Sequence, residues 1–204
     1  VEVELFQPTH IAVTDEYVLA VSEVFGTVQR FAKSDFSVLD TWDGFVMPAD
    51  VLVHSDGSII VADTGAGTLE RIAADGTHTV VASGFAEPHG LAPAGPGAVY
   101  VTESSAGTIQ RVEIASGATS LAAAGLAQPE GLALEPDGAL LVIEVGARRL
   151  SRIDPIAGTA TPVAESLPVG HASGPSLYRD VEVGRGGIYL NSDVDNTVYR
   201  VDAG

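Results

Sequence analysis

Short runs of alternating apolar and polar residues make up most of the chain, and glycine- or proline-containing turns separate them. Ala98–Thr102 alternates in the way typical of a β-strand with one buried face. Pairs such as Asp75-Gly76 and Ser116-Gly117 supply the positive φ that tight hairpins need. No stretch of useful length has the 3.6-residue period of a helix, so the pattern predicts an all-β fold.

The strand pattern recurs five times with a period of about 40 residues. In four copies a proline is followed fifteen residues later by an acid: Pro8 and Glu23, Pro48 and Asp63, Pro88 and Glu103, Pro129 and Glu144. In the fifth copy Tyr178 takes the proline position and Asp193 the acid position. The third copy divides into four predicted strands: Leu91–Pro93, Ala98–Thr102, Ile109–Ile114 and Thr119–Ala122. This period predicts a β-propeller with five four-stranded blades.

The two ends of the sequence suggest how the ring closes. The fifth copy stops at Gly204, after its third strand, whereas Val1–Glu4 precede the first copy where an outer strand is expected. We therefore expect the N-terminal strand to pair with the last blade and remove the exposed edges. The prediction is one domain, 1–204, with blades at roughly 5–43, 44–83, 84–124, 125–166, and 175–204 plus 1–4. Six or seven blades is the alternative if the natural chain begins before Val1.

The charge balance narrows the range of partners. The net charge is −17, with Lys33 as the single lysine. Such a surface repels nucleic acid and anionic lipid, so we expect neither as a partner. There is no cysteine, and no apolar run approaches the roughly 18 residues needed to span a bilayer. We predict a soluble protein, of undetermined compartment, whose partner is a small-molecule ligand or a peptide.

Two residue types occur in every copy. An acid ends each second strand, and an arginine lies in each third strand: Arg30, Arg71, Arg111, Arg152 and Arg200. The two are seven or eight residues apart across one hairpin, where opposite charges can meet. A residue present in every blade more plausibly serves every blade, so we interpret these acids and arginines as ion pairs and turn caps.

Function is more plausibly found where the copies differ. The position after the proline holds Thr9, Ala49, His89, Glu130 and Arg179, and around it lie His10, Asp50, Glu87, Tyr178 and Asp180. In a propeller, the loop that enters the first strand of a blade and the loop that follows its second strand lie on the same face. These residues should therefore surround a central funnel on that face. The loop into the fifth copy is longer than the others, and its extra residues, which include His171, would overhang the funnel.

The repeated motifs GF-x-x-P-x-G-L-A and Y-V-T-E-x-x-x-G-T-I-Q-R-V resemble the NHL-repeat and gluconolactonase-like propellers, and more narrowly the virginiamycin B lyase family. The lyase resemblance implies that Glu87 and Glu103 bind Mg²⁺ and that His89 is the general base in an elimination that opens a cyclic ester. Ala49 stands where that family has a second histidine. The gluconolactonase resemblance implies a divalent metal held at the funnel by side chains of several blades, with His89 and Glu130 adjacent and Glu103 and Glu144 behind them.

Two functional hypotheses follow. The first is a lactonase- or lyase-type enzyme with a divalent cation, Mg²⁺ or Ca²⁺, bound by Glu87 and Glu103, with His89 as the base. Its candidate substrate-binding residues are Glu130, Glu144, His171, Tyr178 and Arg179. The second is a non-catalytic NHL-like propeller that binds a peptide or protein. In that case His89 is a solvated loop residue and Glu103 a structural acid of the repeat.

Overall fold

The computed structural model describes residues 8–170, 180–184, 186–195 and 197–201. Within them, nineteen strands form five antiparallel sheets, and a short 3-10 turn, Val145–Ala147, follows β14. Blade 1 contains β1 (His10–Val13), β2 (Tyr17–Ser22), β3 (Thr27–Ala32) and β4 (Val38–Trp42). Blade 2 contains β5 (Pro48–Val53), β6 (Ile59–Asp63), β7 (Thr68–Ile72) and β8 (His78–Ser83). Blade 3 contains β9 (Pro88–Pro93), β10 (Ala98–Glu103), β11 (Thr108–Glu113) and β12 (Thr119–Ala124). Blade 4 contains β13 (Pro129–Leu134), β14 (Leu140–Glu144), β15 (Arg149–Asp154) and β16 (Thr159–Ala164). Blade 5 contains β17 (Val181–Gly184), β18 (Gly187–Asn191) and β19 (Val198–Val201).

Strands adjacent in sequence are adjacent in each sheet, so every blade is a meander of hairpins. The first strands of the five blades surround a common axis, and His10 of blade 1 contacts Asp180 at the start of blade 5. The chain is thus the predicted five-bladed all-β propeller. The strands predicted for the third copy are confirmed, although β9 begins earlier, at Pro88. The expected pairing of Val1–Glu4 with the last blade lies outside the described residues and stays a prediction.

The hydrophobic core lies between successive blades. One cluster joins Leu19 and Val28 of blade 1 to Val51 and Val61 of blade 2, and similar clusters join blades 2 and 3, 3 and 4, and 4 and 5. The second strands are buried on both sides, as β6 and β14 are along their whole length. The outer strand β16 is largely exposed. Packing therefore depends on apolar side chains on both faces of the second strand of a blade.

Blades 2 and 3 have a glycine after the second strand, where the blade meets the loop into the next blade, and blade 4 has Arg148 there with a φ of +52°. Gly67 and Gly107 have φ values of +65° and +67°. Their carbonyl groups accept hydrogen bonds of 3.2 Å from the amide of Phe85 and 3.0 Å from that of Leu126. A Cβ on Gly67 would lie 2.8 Å from the Phe85 carbonyl oxygen. Both the left-handed backbone and this close approach explain why the repeat carries glycine here.

The acids that end the second strands cap the loop into their own blade. Asp63 accepts hydrogen bonds from the backbone amides of Val46 (2.7 Å) and Met47 (2.9 Å). The other three such bonds run from Ala86 to Glu103 (2.9 Å), from Ala127 to Glu144 (2.8 Å) and from Gly170 to Asp193 (3.0 Å). The interpretation of the repeat acids as turn caps is confirmed for these four blades.

The expected pairing of these acids with the third-strand arginines is wrong for the four arginines whose partners are described. They pair with other acids: Arg30 with Asp40, Arg71 with Asp56, Arg111 with Glu113, and Arg152 with Glu135 and Asp137. The strand register is the reason. Arg111 lies opposite Tyr100, three residues and roughly 10 Å along β10 from Glu103.

The described residues contain no helix that is long and apolar enough to cross a membrane.

Candidate functional site

The first strands of all five blades line a central channel of about 630 Å³. One end of the channel, which we call the mouth, is lined by residues from the starts of these strands: His10, Ala49, Asp50, His89, Gly90, Glu130, Gly131 and Asp180. Of the residues expected one position after the repeat prolines, Ala49, His89 and Glu130 share this opening, Thr9 is not among the lining residues, and Arg179 lies outside the described residues. Five of the eight residues are titratable, and each blade contributes one of them.

His10, Asp50 and Asp180 line both the mouth and the channel, so they lie where the two meet. Each is two residues after the repeat proline position, and blades 3 and 4 have Gly90 and Gly131 there. A Cβ on Gly90 would lie 2.9 Å from the Leu132 amide nitrogen. The glycines let β9 and β13 approach each other, while the other three blades place charged side chains at the same level.

His10 lies between two carboxylates from neighbouring blades. Its Nε2 is 2.7 Å from Oδ1 of Asp50, and its Nδ1 is 3.3 Å from Oδ2 of Asp180. Each ring nitrogen thus faces an acceptor, and this arrangement suits an imidazolium, in which both nitrogens donate. The interaction joins blades 5, 1 and 2 at the channel.

Backbone amides hold both carboxylates in place. Asp50 accepts hydrogen bonds from the amides of Val51 (2.5 Å) and Leu91 (2.7 Å), so it also links blade 2 to blade 3. Asp180 accepts one from the Val181 amide (2.8 Å), and its own amide donates to Oδ1 of Asn191 (2.5 Å). The cluster is therefore built into the inner strands and does not depend on exposed loops.

The electrostatics of the cluster favour a charged imidazole. Burial lowers the pKa of His10, but the carboxylates of Asp50, Asp180 and Glu182 more than offset this and raise it to about 9. Burial raises the pKa of Asp180 to about 6, against the opposing effect of His10. Burial also raises the pKa of Glu182. These pKa shifts agree with the geometry, in which each ring nitrogen of His10 faces a carboxylate oxygen as an imidazolium requires.

His89, the candidate base, lies in the mouth on β9, together with Glu130 on β13. The Thr64 hydroxyl of blade 2 lies 3.2 Å from Nδ1 of His89. Thr102 connects the two blades beneath the mouth: its hydroxyl accepts from the Gly90 amide (2.8 Å) and donates to the Glu130 carbonyl (2.8 Å). The structure therefore brings His89 and Glu130 to the same opening as His10, Asp50 and Asp180.

Two of the acids predicted to bind metal or substrate have partners within their own blades. Glu103 accepts hydrogen bonds from Thr108 (2.7 Å) and Gln110 (2.9 Å) in addition to the Ala86 amide. Glu144 is fully buried and accepts from Arg149 (2.7 and 3.0 Å), Ser151 (2.5 Å) and the Ala127 amide. Neither carboxylate is among the described residues that line the mouth.

Glu87 is exposed in the loop before β9, and its carboxylate accepts a hydrogen bond from the Ser105 hydroxyl. Among the described residues, no group of three or more His, Asp or Glu side chains is arranged to hold a metal ion. The Mg²⁺ or Ca²⁺ ion predicted at Glu87 and Glu103 stays a prediction. His171, Tyr178 and Arg179 lie outside the described residues, so their predicted contacts with substrate stay predictions too.

The sequence did contain a signal for the cluster around His10. Comparing the copies one residue after the proline identified His89 and Glu130, but the position one residue further holds His, Asp, Gly, Gly and Asp in the five copies. That difference between blades is as large as the one used to select His89. The sequence analysis placed His10, Asp50 and Asp180 around the funnel but assigned them no role, and their contacts with one another were not predicted.

No protein-family model and no curated protein matches the sequence. Solved structures do match. A catalytically inactive virginiamycin B lyase from Staphylococcus aureus, crystallised with quinupristin, is 14% identical over 99% of this chain and 72% of its own, with a TM-score of 0.70. A gluconolactonase from Xanthomonas campestris is 18% identical over 92% of this chain and 73% of its own, with a TM-score of 0.69. The structure of a nidogen/laminin complex is 18% identical over 92% of this chain and 72% of its own, with a TM-score of 0.77. At these identities the likeness establishes the fold: the chain is a five-bladed β-propeller whose structural neighbours include virginiamycin B lyase and gluconolactonase-like propellers.

Proposed function

We propose that the protein is a hydrolase or lyase that opens an ester or lactone of a small molecule at the mouth of the central channel. The observation that carries the proposal is the convergence of five titratable side chains, one from each blade, on one opening. A mixed set of histidines and carboxylates at the end of a channel is typical of sites for acid–base catalysis. The structural neighbours named as a lyase and a gluconolactonase support the choice of reaction class.

In this proposal His89 is the general base. In a hydrolysis it takes a proton from the water that attacks the ester carbonyl, and the acyl C–O bond then breaks. In an elimination it takes a proton from carbon, and the alkyl C–O bond breaks to release a carboxylate. Either role requires a histidine that the substrate can reach, and His89 is partly exposed in the mouth.

Asp180 is the proposed general acid. Asp180 lines the mouth, and its carboxyl group is partly desolvated there while 38% of the side chain stays exposed, so a substrate can contact it. A carboxyl group with a pKa raised to about 6 still carries a proton in a useful fraction of molecules near neutrality. In the hydrolysis it donates this proton to the leaving alkoxide, and His10 keeps the carboxyl group oriented through the Nδ1 contact.

The predicted cation would be held by Glu87 and Glu103, and it would polarise the ester carbonyl. Both oxygens of Glu103 already accept hydrogen bonds from its own blade, so binding would have to displace at least one of these donors. The proposed acid–base steps do not depend on the cation. Metal analysis of the purified protein and of Glu103→Gln tests this part: a bound cation should be present in the first and lost in the second. Equal metal content in the two would remove Glu103 as a ligand.

The enzyme proposal is tested with a panel of lactones and aryl esters. We expect His89→Ala and Asp180→Asn each to lower kcat by about 10²- to 10⁴-fold on any substrate that is turned over. His78→Ala is the matched control. His78 lies on β8, the outer strand of blade 2, where it pairs with Glu70 of β7 away from the mouth. Turnover that survives both mouth variants would overturn the assignment of the site.

A second candidate function, a non-catalytic propeller that binds a peptide or protein, is favoured by a separate observation. Apolar side chains are exposed in loops at the same end of the blades as the mouth, with Val24 64%, Val46 61% and Phe25 54% exposed. Exposed apolar residues around an opening are typical of a surface that binds a partner. If no lactone or ester is turned over and a peptide library yields a ligand that competes at Val46, this candidate replaces the first.

A further inference from the structure

Thr64 forms a chain of two hydrogen-bonding contacts with blade 3. Its hydroxyl donates to the carbonyl oxygen of Pro88, and the same hydroxyl oxygen lies 3.2 Å from Nδ1 of His89. Thr64 belongs to the loop after β6 of blade 2, whereas Pro88 and His89 begin β9 of blade 3. The contact therefore crosses the interface between two blades.

The direction of these bonds determines the tautomer of His89. A hydroxyl group has one proton, and the carbonyl oxygen of Pro88 can only accept. Once the Thr64 proton is given to that carbonyl, Nδ1 of His89 must donate its own proton to the Thr64 oxygen. In the neutral ring the lone pair is then on Nε2, on the far side of the imidazole from Thr64.

The other blades support a specific role for the hydroxyl. The residue after the repeat acid and the residue after the next proline position give five pairs around the ring: Val24 with Ala49, Thr64 with His89, Ser104 with Glu130, Val145 with Arg179, and Val194 with Thr9. Valine occupies the first position in three of these pairs, and the pair of Thr64 and His89 is the one that joins a hydroxyl to a histidine. The requirements of the fold alone are met by valine at this position in blade 1.

We propose that Thr64 is a positioning residue that holds neutral His89 as the Nδ1–H tautomer, so that Nε2 is the nitrogen that accepts a proton during catalysis. The inference about catalysis rests on the proposed role of His89 as the base. The tautomer itself can be measured whether or not the protein is an enzyme. Thr64 contacts no substrate in this proposal and acts only through the imidazole.

The first measurement is ¹⁵N NMR of the histidine side chains at an alkaline pH, with the His89 signals assigned by their loss in His89→Ala. In the wild type we expect the Nδ1 of His89 to be protonated and the Nε2 not. Thr64→Val removes the acceptor while keeping the side-chain shape, and we expect the Nε2–H form to appear. Thr64→Ser restores the acceptor and should restore the Nδ1–H form. An Nε2–H tautomer in the wild type, or no change in Thr64→Val, overturns the proposal.

The second measurement is kinetic and uses any substrate found in the panel. Thr64→Val should lower kcat about tenfold with little change in KM, and Thr64→Ser should recover most of the loss. A kcat that is equal in the wild type and Thr64→Val contradicts the catalytic part even if the tautomer changes. If the tautomer behaves as expected and no substrate is turned over by the wild type, the enzyme proposal fails and the hydrogen-bond assignment stands.

Discussion

A single histidine neutralises much of the negative charge at the channel. Asp50, Asp180 and Glu182 approach one another from two blades, and all three raise the pKa of His10 through their charges. Without a cation between them, these carboxylates would repel each other across the axis. His10 thus stabilises the contact between blade 1 and its neighbours on both sides, in addition to any part that it has in catalysis.

The raised pKa of His10 predicts how stability depends on pH. The group binds its proton more tightly in the folded state, where its pKa is about 9, than in the unfolded chain, where it is 6.5. Its contribution to the free energy of unfolding is therefore complete below pH 6.5 and is lost as the pH rises through 9. The loss is at most about 3 kcal/mol. Urea unfolding across this range should show it in the wild type and much less in His10→Gln.

Asp50→Asn provides the second variant for this prediction. Asp50 is the nearer carboxylate, so its loss should lower the pKa of His10 and shift the NMR titration of its imidazole towards that of a free histidine. A wild-type His10 that already titrates like a free histidine would show that the carboxylates do not hold the imidazolium.

At the scale of the structural elements, Asp63, Glu103 and Glu144 each fix the loop that leads into the mouth residues of their own blade. Glu144 is fully buried, with the Arg149 guanidinium, the Ser151 hydroxyl and the Ala127 amide as donors. Burial raises the pKa of its carboxyl group, but these three donors more than offset burial and leave the pKa below its usual value. The loop held in this way leads directly into Pro129 and Glu130, so the cap helps to place a mouth residue.

Glu144→Gln should therefore destabilise the protein by about 1–3 kcal/mol at neutral pH, because the amide cannot replace the charged partner of Arg149. A carboxyl group with a lowered pKa contributes its stability above the unfolded value of 4.5 and loses it as the pH falls through the folded value. The difference from the wild type should thus shrink in acid. Glu16→Gln, an exposed acid, is the control for urea unfolding. An equal effect of the two substitutions would contradict the role of the cap.

The blades could be predicted from the sequence because strand alternation and the turn glycines recur with the period of the repeat. The capping role of the repeat acids could also be predicted, because an acid that occurs in every copy implies a role in every copy. The partners of the arginines could not be predicted, because a hairpin can place Arg111 opposite Glu103 or three residues away from it. The register between β10 and β11 determines which of the two occurs. The cluster of His10, Asp50 and Asp180 depends on three blades meeting at the axis, and the sequence of each copy does not show which side chains of different blades touch. The sequence therefore placed His10 near the funnel but gave a role to His89 and none to His10.

At the scale of the whole molecule, the dominant electrostatic feature is an excess of acidic residues, 27 against ten lysines and arginines. The arginines with described partners are already paired locally, as Arg30 and Arg152 are with acids on their own blades. The remaining carboxylates repel one another over the surface, and this repulsion is relieved when the chain expands. This repulsion therefore lowers the free energy of unfolding, and dissolved salt ions can reduce the repulsion.

The last prediction concerns this repulsion. Raising NaCl from a low concentration to about 0.3 M shortens the range of the repulsion to below roughly 10 Å and should stabilise the folded state. If screening is worth about 1 kcal/mol, the thermal midpoint should rise by about 2–4 °C in a chain of this size. Differential scanning calorimetry at neutral pH measures the midpoint, and the same scans near the isoelectric point of 4.3 are the control, because the net charge is then close to zero. A midpoint that falls with salt at neutral pH would mean that attractive pairs such as His10 with Asp50 outweigh the repulsion among the surface acids.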